Sequence, residues 1–249
     1  MFEIVVAALF GLVFGSFLNV CIHRWPRDLS IVRPGSHCTA CGHSIRPYDN
    51  IPVFSYLLLQ GRCRHCRSGI HWRYPLVEAL TSILFAVAVA VWGPTPAALK
   101  FALFAFLQLG MIFSDLETRL LPDEFTKGGI VLGLIAAVLA PQRSSIAFSL
   151  LDAAAGAAVC SGSLWAVGWL YSKIRHKEGL GFGDVKMVAM IGAFLGAGPA
   201  LMALFLGCLL GSAVGLCYIY LAKKDAASYE LPFGSFLGVA AIFVAVWMR

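Results

Sequence analysis

Long apolar runs, interrupted at intervals by short polar stretches, set the pattern of this chain. A helix that crosses a bilayer needs about 20 mostly apolar residues. Scanning for such runs predicts eight helices, over residues 2–22, 75–92, 97–114, 126–140, 147–171, 185–195, 200–222 and 231–248. The fourth and sixth are the shortest. One polar stretch is out of scale with the others, running from Arg24 to Arg73. It is too long to be a plain connection and is expected to fold as a small module. The chain thereby divides into residues 1–92 (a helix, the module and a second helix) and residues 97–249, a six-helix bundle. The expected fold class is an all-α polytopic membrane protein of about eight transmembrane helices with a small cytoplasmic loop module.

Composition agrees. The 249 residues are 59% hydrophobic and 13% charged, against roughly 25% charged in a soluble domain, and mean hydropathy is +0.82. The first apolar run is not a signal peptide. It carries Glu3 where a basic region belongs, and no small-residue cleavage site precedes Arg24. It reads as a permanent helix with its N-terminus outside. Charge gives the orientation. Residues 24–73 hold eight arginines and two acids, a net of +6 that equals the whole-chain total. The arginines are scattered among cysteines and prolines, not arrayed on a helix face, so nucleic acid is not the expected partner. They read instead as the positive-inside signal. With the module in the cytoplasm and eight helices, 15 of the 19 basic residues fall inside, including Arg119, Lys127, Lys173, Arg175, Lys177, Lys223 and Lys224. Lys100, Arg143 and Arg249 fall outside, and Lys186 lies just within the sixth helix.

The module holds Cys38, Cys41, Cys63 and Cys66 as two Cys-x2-Cys pairs separated by 21 residues. Two residues between cysteines let both sulfurs face one ion, and four thiolates complete a tetrahedral zinc site with no open position. Such a site is structural. Two disulfides or a redox pair are the other readings, and a reducing cytoplasm disfavours disulfides. Residues 38–45 and 63–70 form a short internal repeat in which both cysteines and the final isoleucine coincide. His37, His43, His65 and His71 are surplus to a four-thiolate set and read as surface histidines. Cys21, Cys160, Cys208 and Cys217 lie in apolar runs and read as small buried hydrophobes.

Ser16, Asn19 and His23 recur at helical spacing on the first helix, either lining a polar groove or packing helices. Glu78, at the start of the second helix, is placed where it could pair with Arg73 or another module arginine. Two further acids stand at the cytoplasmic ends of apolar runs, where ionisable groups are costly and usually functional. They are Asp115, directly after the run 101–113, and Asp184, in Gly181-Phe182-Gly183-Asp184. On the inferred topology both lie at one membrane level. Two carboxylates brought together can share a proton and activate a water, which makes a membrane-embedded aspartic protease the first hypothesis. The competing role for Asp184 is an N-cap. Asp123 and Glu124 read as caps of the helix after Pro122, and Glu117 as a solvated loop acid. Lys186 either biases the pair or extends to the headgroups. A proton-coupled transporter that uses the same acids is the non-enzymatic alternative, disfavoured because the acids cluster at one face and not at the midplane.

Taken in order, Gly15-Ser16-Phe17-Leu18-Asn19-Val20, His23-Arg24-Trp25-Pro26, the paired Cys-x2-Cys, Asp49-Asn50-Ile51-Pro52, Arg73-Tyr74-Pro75-Leu76-Val77-Glu78, Asp115 with Leu121-Pro122-Asp123, Gly181-Phe182-Gly183-Asp184-Val185-Lys186 and Leu231-Pro232-Phe233-Gly234 resemble the prepilin peptidase family, a branch of the Gly-x-Gly-Asp intramembrane aspartic proteases. The resemblance covers nearly the whole chain. It implies a bifunctional enzyme of the bacterial inner membrane, with active site and cysteine loop facing the cytoplasm. Such an enzyme cuts the basic leader from type IV prepilins and type II secretion pseudopilins. It then N-methylates the new terminal residue with S-adenosylmethionine. The family's catalytic pair matches Asp115 and Asp184. Its zinc loop matches Cys38, Cys41, Cys63 and Cys66, which marks the bifunctional form. Lipid and these substrates are the expected partners. A protease of the same chemistry with other membrane substrates is the second reading. The chain departs at Ser235, where the resemblance implies proline.

Overall fold

The computed structural model describes residues 1–142, 145–176, 179–222 and 231–248. Arg143, Lys177, Lys223, Lys224 and Arg249, counted above for topology, lie outside the described residues. The fold is all α. Nine helices are described: α1 (Phe2–Arg24), α2 (Phe54–Leu58), α3 (Arg73–Trp92), α4 (Pro96–Thr118), α5 (Asp123–Leu139), α6 (Ile146–Arg175), α7 (Phe182–Leu195), α8 (Ala197–Ala222) and α9 (Phe233–Trp247). Among the described residues there is no strand, only two isolated bridges.

Each of the eight apolar runs is helical, but only five of the helices (α1, α3, α4, α6 and α8) are long and apolar enough to cross a membrane. Eight full spans are not confirmed. At 1.5 Å per residue, the 17 residues of α5 and the 14 of α7 rise only about 26 and 21 Å, against a hydrocarbon core of about 30 Å. For α7 the reason is burial. From Val185 to Leu195, α7 is buried on nearly every side, so its apolar character answers to neighbouring helices and not to lipid.

The chain forms two compact units, Met1–Gly110 and Met111–Arg249, and α4 contributes residues to both. In the first, α1 and α3 pair antiparallel at close range. A Cβ on Gly11 would lie 2.6 Å from Ser82 Cα, and one on Gly15 would lie 2.7 Å from Glu78 Cα. Polar side chains tie the pair together. Ser82 Oγ donates to the Ala8 carbonyl (2.9 Å) and Asn19 Nδ2 to that of Tyr74 (3.0 Å). Ser16 bonds Glu78. Ser16 and Asn19 therefore serve helix packing. Glu78 also reaches into the polar module. Its Oε2 accepts the Val53 N–H at 2.7 Å, which anchors the start of α2 to α3. Val53 sits at φ 61, a region that β-branched residues enter only when held.

The second unit is built around α7, which packs against α5, α6, α8 and α9. Its closest crossing is with α6, where a Cβ on Gly192 would lie 2.3 Å from the Gly156 carbonyl carbon. Small residues are what let helix backbones approach this closely in a membrane. Cys21 and Cys160 are buried as expected, whereas Cys208 and Cys217 are exposed on α8. An apolar helix with a broad outward face places small hydrophobes toward lipid as readily as inward.

Candidate active site and metal centre

In the second unit, α4 runs on to Thr118, four residues past the predicted boundary. Asp115 is thereby inside its last turn, only 6% exposed. The start of α9 meets it there. The Ser235 N–H donates to Asp115 Oδ2 at 2.8 Å, and the Ser235 hydroxyl lies 3.0 Å from the same oxygen. That hydroxyl is also 3.1 Å from the Ile112 carbonyl oxygen. Asp184 is not the N-cap of α7. Gly181 takes that position, and Asp184 lies in the first helical turn.

Asp184 and Asp115 interact electrostatically, so the folded unit brings the two predicted carboxylates together. Glycine clears the space beside each. A Cβ on Gly181 would come within 3.3 Å of Asp184 Oδ2, and one on Gly234 within 3.3 Å of Asp115 Oδ2. Leu121 fills the gap between the two turns, lying against both Gly183 and Gly234. The arrangement leaves two interacting carboxylates at helix ends, with a glycine beside each.

Lys186 is engaged by an acid outside the pair. Its Nζ binds Asp123 Oδ1. Asp123 is the first residue of α5, not its cap, which is Pro122. It also binds Lys127 across one turn at 2.7 Å. The Lys127 and Lys186 ammonium groups hold the Asp123 carboxyl down from the ordinary 3.8 to about 2. This ion-paired cluster joins α5 to the start of α7, two residues from Asp184. Glu117 and Glu124 are exposed.

In the first unit the sulfurs of Cys38, Cys41, Cys63 and Cys66 all lie within 4.8 Å of one another, an arrangement that can hold a metal ion. The sequence repeat is a structural repeat. Cys38 N–H donates to the His43 carbonyl (2.9 Å) and Gly42 N–H to that of Cys38 (2.8 Å). Cys63 N–H donates to Ser68 (2.8 Å) and Arg67 N–H to Cys63 (3.0 Å). Gly42 and its counterpart Arg67 both take positive φ, 70 and 61. His43 and His65 stack across the two knuckles, with centroids 4.2 Å apart. Backbone N–H groups of Cys41 and Ala40, with the Ser68 hydroxyl, pull the Cys38 thiol down to about 6. At Cys41 the His43 N–H pulls the same way, but burial and the neighbouring sulfurs outweigh it and push the thiol up to about 11. Four crowded sulfurs cannot all ionise unless a cation joins them. Outside the cluster, Arg64 grips Asp49 through Nε and Nη2 (2.9 and 2.6 Å).

Two family models match the chain. One describes the bacterial peptidase A24 N-terminal domain, over residues 9–92, and the other the type IV leader peptidase family, over residues 101–216. The prepilin leader peptidase/N-methyltransferase of Pseudomonas putida is 35% identical over 266 residues, covering 98% of this chain and 90% of the relative. The chain belongs to the type IV leader peptidase family. Another family member, the prepilin leader peptidase/N-methyltransferase of Burkholderia pseudomallei strain 1026b, is 37% identical, covering 97% of this chain and 85% of its own length. The type 4 prepilin-like proteins leader peptide-processing enzyme of Escherichia coli O78:H11 is 36% identical, covering 96% and 93%. No solved structure matches.

Family membership and five long apolar helices make this a multi-pass membrane protein. Two residues at the site escaped the sequence reading. Ser235 stood out only as a serine where the family resemblance implies proline. Leu121 was seen as part of a motif and not as packing. No local pattern links residue 235 to residue 115, because the contact spans 120 positions of chain.

Proposed function

We propose that this protein removes the basic leader from type IV prepilins or type II secretion pseudopilins and then N-methylates the new terminal residue. The observation that carries the proposal is the meeting of Asp115 and Asp184 at the ends of two helices of one unit. One carboxylate takes a proton from water as the water oxygen bonds to the scissile carbonyl carbon. The other, protonated, gives its proton to the carbonyl oxygen. Collapse of the resulting diol returns that proton, and the first carboxyl passes its own to the departing nitrogen. Atoms and charges balance, and both acids are regenerated.

Residues 1–92 form the methyltransferase-associated part and residues 97–249 the peptidase. S-adenosylmethionine is the co-substrate for methylation. In that step the freed N-terminal nitrogen accepts a methyl group from a sulfonium and releases a proton. Cys38, Cys41, Cys63 and Cys66 hold structural zinc. A tetrahedron of zinc–sulfur bonds of about 2.3 Å has edges of about 3.8 Å, and Cys38 and Cys66 sulfurs lie 3.8 Å apart. The arginine-rich module supports a cytoplasmic face for module and carboxylates at the bacterial inner membrane, with lipid around the helices.

The test is mass spectrometry of a prepilin incubated with purified protein and S-adenosylmethionine. The expected product has lost its leader and gained one methyl group. Folded Asp115→Asn and Asp184→Asn variants are expected to lose about a thousandfold or more in cleavage. Substantial cleavage by either variant rejects the carboxylate pair.

A further inference from the structure

We propose that Ser235 is the positioning residue that holds Asp115 as the water-activating carboxylate of the pair, leaving Asp184 to carry the shared proton. This rests on the peptidase reading above. Ser235 is 6% exposed, so its two donors reach Asp115 without competition from water. The backbone N–H, 2.8 Å from Oδ2, is fixed by the first turn of α9. The hydroxyl has a single hydrogen but two acceptors in range, Asp115 Oδ2 at 3.0 Å and the Ile112 carbonyl at 3.1 Å. When Asp115 is ionised, that hydrogen points to Oδ2. When Asp115 takes the proton of the attacking water, the hydroxyl turns to Ile112, and Oγ accepts from the new Oδ2–H. One side chain thus bonds both protonation states without moving a heavy atom.

The other charged groups that interact with Asp115 are Asp184 from α7 and Arg119, just past the end of its own helix. α9 brings no charge, only these two donors. Asp184 has no comparable donor pair among the described contacts, and that difference separates the roles of the two acids. Proline, implied by the resemblance at this position, lacks both the N–H and the hydroxyl.

The experiment measures kcat and KM for leader removal by wild type, Ser235→Ala and Ser235→Thr, with zinc content and thermal midpoint as folding controls. A hydrogen bond to a charged group corresponds to a factor of roughly 10 to 150. Because Ser235→Ala keeps the backbone N–H, the expected result is the low end, a drop of about tenfold in kcat with KM within about twofold. Ser235→Thr, which keeps the hydroxyl, is expected to restore most of the rate. An unchanged kcat in folded Ser235→Ala overturns the proposal. So does equal impairment of Ala and Thr, which would report packing at α9. A wild type that cleaves no prepilin, or an active Asp115→Asn, instead rejects the peptidase reading itself.

Discussion

At the scale of single residues, the site is defined by what surrounds each acid. Asp115 is buried against two donors, Asp184 sits in a helical first turn, and Asp123 is exposed and ion-paired. The last of these bears on pH. A carboxyl held below its ordinary value contributes stability above that value and loses it as pH falls through the folded-state value. For Asp123 the window runs from 3.8 down to about 2. Lys186→Met removes one of its two partners. The variant is expected to melt below wild type at neutral pH, with the gap narrowing as pH is lowered from about 5 toward 2. A gap that does not change with pH would show that Lys186 acts through packing. The effect is modest because the pair is partly exposed and screened.

Among elements, α7 matters most, because it carries Asp184 on one end and is enclosed along its length. Its position depends on backbone contact with α6. The Cβ that Gly192→Ala introduces would lie 2.3 Å from the Gly156 backbone, and no rotamer change relieves a clash with main chain. Overpacking of this kind typically costs about 1–3 kcal/mol. Gly162→Ala, on α6, is the internal comparison, since a Cβ there meets nothing within 4 Å. It is expected to be neutral or stabilising by up to about 1 kcal/mol, because alanine loses less backbone entropy in a helix than glycine does. Thermal unfolding in detergent should separate the two variants, with Gly192→Ala several degrees lower and also slower in leader removal. Equal midpoints would mean that α6 and α7 can part at little cost. The same logic explains the short α7. A helix wrapped by protein need not match the bilayer.

For the whole molecule, the expectation is about one zinc per chain, from one set of four cysteines, measured by elemental analysis of purified protein. Cys38→Ser with Cys66→Ser should remove the metal, and the module between Arg24 and Arg73 should become sensitive to protease because it has little apolar core of its own. Metal-free protein with an intact module would overturn the zinc assignment. Much of this was legible in the sequence. Apolar runs found every long helix, because the bilayer imposes composition on anything that crosses it. The paired Cys-x2-Cys marked the four-sulfur cluster, because short spacing alone aims two sulfurs at one point. Asp115 and Asp184 were visible as acids where acids are expensive. Other features depend on contacts between residues far apart in sequence, and no local rule reports them. Helix α7 is short and apolar because other helices enclose it. The Lys186–Asp123 pair joins positions 63 apart, and Ser235 reaches Asp115 from the final helix. The sequence by itself determined which groups were present and where the helices lie, since those depend on local composition and spacing. Tertiary structure alone decided which donor meets which carboxylate, because that depends on how the helix ends converge in space.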